Sequence, residues 1–169
     1  MESASLYRHG IVLLAIALVA VYSYEVWLFR KLDILEPASL ARMAHALPEK
    51  PSLAVLPFEN MSDDGAQNYF ADGMTDDLIG DLSKVPGLFV IARDTMFTYN
   101  NKTVPVRQVA EDLGVRFVIK GQVDRTGDDL VLQFQLIDAL RGKKLLVERY
   151  AGRLNDALRL RAQVSGDII

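Results

Sequence analysis

The chain has no cysteine and only two histidines, which limits the metal sites and catalytic mechanisms that it could use. The lack of cysteine excludes a disulfide framework, a thiolate zinc site and a cysteine nucleophile. His9 and His45 lie far apart in the sequence without a neighbouring nucleophile, so we expect neither a multi-histidine metal site nor a histidine-based triad. A formal net charge of −3 disfavours wholesale electrostatic binding of nucleic acid.

The common catalytic motifs are also missing. The sequence contains no G-x-x-x-x-G-K-[ST] loop, no G-x-G-x-x-G after a strand, no H-E-x-x-H and no G-x-S-x-G. We therefore predict no catalytic residues, no cofactor and no metal, and a protein that is not an enzyme.

The longest apolar run covers residues 10–29 and carries one charge, Glu25. A helix of that length is about as long as the roughly 30 Å hydrocarbon core of a bilayer is thick. Trp27 and two tyrosines cluster near one end, as in an aromatic belt. We expect a transmembrane anchor in contact with the lipid bilayer, after a short tail of residues 1–9. A cleaved signal peptide is the main alternative, and the weak basic region before the run argues against it.

The flanks of this run do not decide its orientation, because Arg8 precedes it while Arg30 and Lys31 follow it. Residues 30–50 read as a stem or linker. Pro48 and Pro51 mark its end, so we expect the folded unit to begin at residue 51.

Hydrophobic patterns in the folded unit predict alternating strands and helices. Residues 52–58 and 88–92 read as short buried strands, with an amphipathic helix over 66–84 between them. A second helix over 106–113 is expected to end at Gly114.

Three further strands are predicted over residues 116–124, 129–138 and 144–151, followed by a helix from residue 155. The order β-α-β-α-β-β-β-α predicts an α/β fold with a mixed sheet, in which the first two strands are parallel and the last three form a meander. Because the last helix has no stop signal, we expect the natural chain to continue past Ile169 or to be a truncated relative.

The candidate binding residues are those expected at the carboxyl ends of the parallel strands, where open α/β sheets hold ligands. They are Phe58, Asn60, Asp72, Gly73, Asp76, Arg93 and Asp94. Gly73 is unusual inside a helix and predicts close packing or a nearby ligand. Arg93 and Asp94 could instead form a surface salt bridge.

An acidic cluster follows the first predicted strand: Asp63, Asp64, Asp72, Asp76, Asp77 and Asp81. The loop from Asn60 to Gly65 begins like a calcium-binding loop, but Ala71 stands where a bidentate glutamate is needed. A metal bridging Asp72 and Asp76 is one interpretation. A capped helix with a solvated acidic face is the interpretation we favour.

Several motifs occur together between Ala54 and Tyr150, in the order AVLPFENMS, YFADGMTDDL, VRQVAEDLGV, LIDA and ERY. This combination resembles the TolB amino-terminal-like domain of bacterial signalling proteins. The resemblance assigns residues 51–152 to that domain and leaves residues 153–169 as a C-terminal helix.

The resemblance implies a setting as well as a fold. Similar domains follow one transmembrane helix and accompany adenylate cyclase or winged-helix domains and tetratricopeptide repeats. It therefore implies a single-pass protein of the bacterial inner membrane with residues 51–169 in the periplasm. The match fades after Tyr150, and the sequence leaves open whether repeats follow.

Three functions compete on this basis. The favoured one is a non-enzymatic, membrane-anchored periplasmic module that binds an envelope protein through a sheet edge or the loop at residues 60–64. The alternatives are a small-ligand sensor with its site at the strand ends, or an accessory fragment of an adenylate-cyclase-type protein without its catalytic domain. A carboxylate enzyme using Asp72 and Asp76 is the least favoured, and no nucleic-acid partner is expected.

Overall fold

The computed structural model describes residues 35–62 and 65–168, and the compact unit runs from Glu36 to Ile169. The predicted membrane span, residues 10–29, lies outside the described residues. Across the part that is described, no helix has both the length and the apolar character needed to cross a membrane.

A six-stranded mixed sheet forms the centre of the unit. Its strands are β1 (Ser52–Val55), β2 (Glu59–Asn60), β3 (Phe89–Val90), β4 (Phe117–Thr126), β5 (Asp129–Asp138) and β6 (Lys143–Arg153). The spatial order is β3-β1-β4-β5-β6, with β2 also paired to β4. β1 is parallel to β3 and β4, while β4, β5 and β6 form an antiparallel meander. The predicted mixed sheet, with parallel first strands and a terminal meander, is therefore confirmed.

Four α-helices accompany the sheet: α1 (Asn68–Ser83), α2 (Arg93–Phe97), α3 (Val106–Leu113) and α4 (Ala157–Ile168). The structure differs from the predicted order by two short elements, β2 and α2. Both are too short to produce a periodic pattern, since β2 has 2 residues and α2 has 5. α3 has the predicted bounds, and Gly114 ends it in the left-handed conformation at φ 64°.

β1 and β2 are two parts of one strand interrupted at Pro57. The amide of Leu56 donates to Ile119 at 2.9 Å, and pairing with β4 resumes where Met61 donates to Val123 at 2.8 Å. Between these points Pro57 has no N–H to contribute. The amide of Phe58 turns away from the sheet and donates to the Thr75 hydroxyl on α1 at 2.9 Å.

The interruption directs the ring of Phe58 onto Gly121 of β4. A Cβ at Gly121 would overlap this ring, so the close approach requires glycine. Phe58 is 4% exposed, and the inner face of α1 is buried beside it. α1 packs on β1, β2 and β3, α4 packs on β5 and β6, and the two helices contact each other. Along β5, Leu130, Leu132 and Phe134 are buried at alternating positions.

Residues 36–47, which we call the strap, lie against the domain. The amide of Ala38 donates to Ala139 at 2.7 Å, and the amide of Ser39 donates to the Glu111 carboxylate at 2.9 Å. The Arg42 guanidinium pairs with Glu111 at 2.8 Å. The described part of the predicted stem is thus packed against α3 and the β5–β6 turn.

Candidate functional site

A cleft of about 450 Å³ opens at the carboxyl end of β1. The segment from Leu56 to Asn60 forms one wall, and the first turns of α1 form a second. The loop over residues 99–104, between α2 and α3, forms a third wall, and the middle of β4 completes the cleft. The interruption at Pro57 creates this space, because it separates the chain from β4 before pairing resumes.

The floor of the cleft is apolar. It includes Phe58 and Ala71, which are 4% and 2% exposed, with Gly121 beneath the Phe58 ring. The floor is preformed, because the main-chain amide of Phe58 donates a hydrogen bond to the Thr75 hydroxyl and the Phe58 ring packs on Gly121.

The rim is polar and rich in carboxamides. The side-chain Nδ2 of Asn60 donates to Asn68 Oδ1 at 2.9 Å, and the side-chain Oδ1 of Asn60 accepts from the main-chain amide of Ser62 at 3.0 Å. On the opposite side Asn100 donates to the Asp72 carboxylate at 3.4 Å. These bonds orient side chains that both donate and accept, which suits a polar ligand with mixed hydrogen-bonding groups.

All six residues of the loop over residues 99–104 line the cleft. Asn101 adopts φ 57°, a conformation that asparagine tolerates better than most residues. Burial, followed by the negative charge of Asp112, raises the pKa of Tyr99. The raised pKa keeps the Tyr99 phenol protonated, and able to donate a hydrogen bond, to higher pH than an ordinary tyrosine. Lys102 on the loop and Lys120 on β4 bring positive charge to the same rim.

The structure divides the predicted site residues into two groups. Phe58, Asn60 and Asp72 line the cleft. Asp76 and Arg93 lie outside it and pair with each other at 3.0 Å.

The second group forms a surface link between α1 and α2. The Arg93 guanidinium also lies 4.3 Å from the centre of the Phe97 ring and 3.6 Å from Asp94. Asp94 is 98% exposed, so this pair contributes little stability. Neither Arg93 nor Asp94 lines the cleft, although both follow β3 directly.

The close packing predicted at Gly73 is absent from the structure. A Cβ at this position would meet no atom within 4 Å, and Gly73 is exposed on α1 beside Asp72. The glycine is therefore not required by a neighbouring strand.

We did not predict from the sequence that the loop over residues 99–104 and the middle of β4 line the cleft. One signal was present, because two consecutive asparagines precede Pro105 and the helix start. The contribution of Lys120 and Gly121 has no local signal, since it depends on the register between β4 and the interrupted strand.

The cleft offers hydrogen-bonding groups of both kinds, donors and acceptors. Within residues 35–62 and 65–168, no group of three or more histidine, cysteine, aspartate or glutamate side chains is placed to hold a metal ion. His45 lies in the strap against Gly114, at the opposite end of α3 from the cleft loop. The arrangement can fix a polar group by hydrogen bonds above an apolar floor.

Comparison with known proteins gives matches to families and to folds. Residues 49–163 match a family described as the second domain of HilA/YgeH-like transcriptional regulators. The chain is also 50% identical over 123 residues to a Rhizobium meliloti (strain 1021) protein named "Putative adenylate cyclase 3". That match covers 73% of this chain and 21% of the relative, so the chain spans about a fifth of the relative's length.

Among solved structures, lipoprotein GNA1162 from Neisseria meningitidis is similar with a TM-score of 0.51 and 19% identity. The match covers 70% of this chain and 97% of that one. At this identity the similarity shows a shared fold alone. TolB from Acinetobacter baumannii matches with a TM-score of 0.48 and 20% identity, over 73% of this chain and 28% of TolB.

Proposed function

The chain belongs to the family of HilA/YgeH-like transcriptional regulator second domains, and we propose that it is a non-enzymatic interaction module of a bacterial signalling protein. In this proposal the cleft above Phe58 receives a polar group of a partner protein. The domain would recognise this partner and transmit its presence to other parts of the signalling system.

The observation that carries the proposal is the construction of the cleft. A preformed apolar floor is surrounded by oriented carboxamides, with Asp72 on one side and Lys102 and Lys120 on the others. Buried apolar contact supplies affinity, and the fixed polar groups supply specificity. We propose recognition without turnover.

The related proteins support a signalling setting. The family is named for transcriptional regulators, and the Rhizobium meliloti relative is named as an adenylate cyclase. Because this chain spans about a fifth of that relative, we propose that the shared region is a regulatory part. With a net charge of −3, the domain is not proposed to bind nucleic acid itself.

We further propose an envelope location, with residues 10–29 anchoring the chain in the inner membrane and the domain in the periplasm. The apolar length of this segment supports it. An alkaline phosphatase fusion after Ile169 would be active in this topology. An inactive fusion that is stably produced would place the domain on the cytoplasmic side and contradict the proposed location.

Site-specific photo-crosslinking tests the partner proposal. A photoreactive side chain replaces Thr103 at the cleft in the full chain, and Lys84, at the far end of α1, provides the matched control position. The proposal predicts a discrete adduct from position 103 that is absent from position 84. Identical adduct patterns from both positions would contradict recognition through the cleft.

The cleft also favours a second candidate, a small-ligand sensor. Its volume of about 450 Å³ lies within the range of known ligand pockets. A ligand that binds only the folded state raises the unfolding midpoint by mass action. A thermal-shift screen of sugars, nucleotides and amino acids therefore distinguishes the two candidates, and a shift lost in Asn68→Ala would favour the sensor.

A further inference from the structure

β6 is a long strand with one unpaired side. It has 11 residues and lies at the end of the sheet order, where β5 is its only strand neighbour among the described residues. α4 follows it and packs against α1. The outer edge of β6 therefore presents a row of main-chain groups that another strand could pair with.

The register shows which residues carry those groups. Beyond the end of β6, the amide of Leu154 donates to Asp128 at 2.8 Å, so even-numbered residues point their main-chain groups toward β5. In an antiparallel pair this orientation alternates along the strand. The amides and carbonyls of Val147, Arg149 and Ala151 accordingly face outward.

The exposed side chains of β6 lie at its odd-numbered positions, and a register shift opposite Leu136 and Ile137 interrupts the alternation at Leu145. Leu145 and Val147 are 46% and 50% exposed, and Arg149 and Arg153 are exposed beside them. Four of the five charged residues of β6 are basic, with Glu148 as the exception. The edge thus combines unpaired main-chain groups, exposed aliphatic surface and positive charge.

We propose that β6 is a docking edge for an extended acidic segment of a partner protein, which adds to the sheet as a further strand. Main-chain hydrogen bonds would provide affinity. In an added strand that alternates acidic and aliphatic residues, all the acidic side chains would lie on one face, beside Lys143, Arg149 and Arg153. A second copy of this chain is a poor occupant, because pairing two basic β6 strands brings like charges together.

The occupant is tested with a defined peptide and the full chain. The probe is a labelled eight-residue peptide that alternates glutamate and valine, and its binding is followed by fluorescence anisotropy. We expect it to bind at least about tenfold more tightly than the same peptide with lysine in place of glutamate. The combined variant Lys143→Glu and Arg149→Glu should reverse this preference, while Lys50→Glu, outside β6, should leave it unchanged.

A second comparison needs no protein variant. Methylation of every amide nitrogen in the acidic peptide removes the main-chain donors of both its edges without changing its charge, so strand addition predicts that binding is lost. Retained binding of the methylated peptide would overturn strand addition. Equal binding of the acidic and basic peptides, or of neither, would overturn the acidic partner.

A membrane surface is the competing occupant for a basic edge. To test this occupant, we would measure binding to vesicles of phosphatidylcholine with 30% phosphatidylglycerol. The full chain would be compared with the charge-reversed variant, Lys143→Glu and Arg149→Glu. We expect the same vesicle binding from both proteins. Vesicle binding lost on charge reversal, together with no binding of the acidic peptide, would contradict the proposal.

Discussion

The contact between Phe58 and Gly121 makes a specific prediction for stability. Gly121→Ala introduces a methyl group where the structure places the Phe58 ring, and that ring is 4% exposed and fixed through its amide to Thr75. Since neither side can move freely, the substitution overpacks the core. We expect it to lower the free energy of unfolding by about 1–3 kcal/mol.

Gly73→Ala provides the matched control, because it is the same chemical change at an open position. No atom lies within 4 Å of the added Cβ, and Gly73 is in the middle of α1. Replacing glycine by alanine in a helix should raise the free energy of unfolding by roughly 0.5–1 kcal/mol. The two substitutions are therefore expected to change stability in opposite directions.

Urea unfolding followed by far-UV circular dichroism measures both effects in the full chain. Phe58→Leu tests whether overlap with the Phe58 ring causes the loss of stability, because a smaller side chain at residue 58 leaves room for the methyl group at residue 121. We expect the double variant to lose less stability than the sum of the single variants, by at least about 0.5 kcal/mol. Additive losses, or a Gly121→Ala variant as stable as the wild type, would refute the steric reasoning.

Two pH predictions follow from the titrating groups. Burial, then the hydrogen bond to Asp167, raises the pKa of Tyr150 to about 12. Its stabilising effect is full below the ordinary tyrosine value of about 10 and is lost as the pH rises toward the folded pKa. Phenolate absorbance should show this late transition, and its persistence in Tyr150→Phe would assign it to another tyrosine. The hydrogen bond from Arg42, then that from the Ser39 amide, lowers the pKa of Glu111. The contribution of the Glu111 carboxylate to strap attachment is thus full above its ordinary pKa of about 4.3 and is lost as the pH falls through the folded pKa. Amide exchange at Ser39 should accelerate in acid, and unchanged protection of Ser39 in Glu111→Ala would contradict the role of this carboxylate.

The longer strands and helices could be predicted from the sequence because their hydrophobic patterns extend over many residues. The alternation over residues 129–138 and the helical spacing before Gly114 each depend on local geometry, and the structure has both elements with the predicted bounds. β2 and α2 depend on tertiary contacts instead. β2 exists because β4 extends past the interruption at Pro57 and offers Val123 as a partner.

The candidate site could be predicted only in part, because some of its residues are brought together by tertiary contacts. Phe58, Asn60 and Asp72 follow from the rule that ligands bind at the ends of parallel strands. That rule also selected Arg93 and Asp94, but α2 begins at Arg93 and turns both away from the cleft. The binding roles of all these residues stay predictions.

Hydrogen–deuterium exchange on the full chain, with and without the purified partner captured by crosslinking, tests recognition through the cleft most directly. Binding through the cleft predicts slower exchange in the loop over residues 99–104 and around Asn60 when the partner is bound. The last turns of α1, outside the cleft, should exchange as before. Slower exchange confined to other parts of the domain, with the loop over residues 99–104 unchanged, would contradict the account.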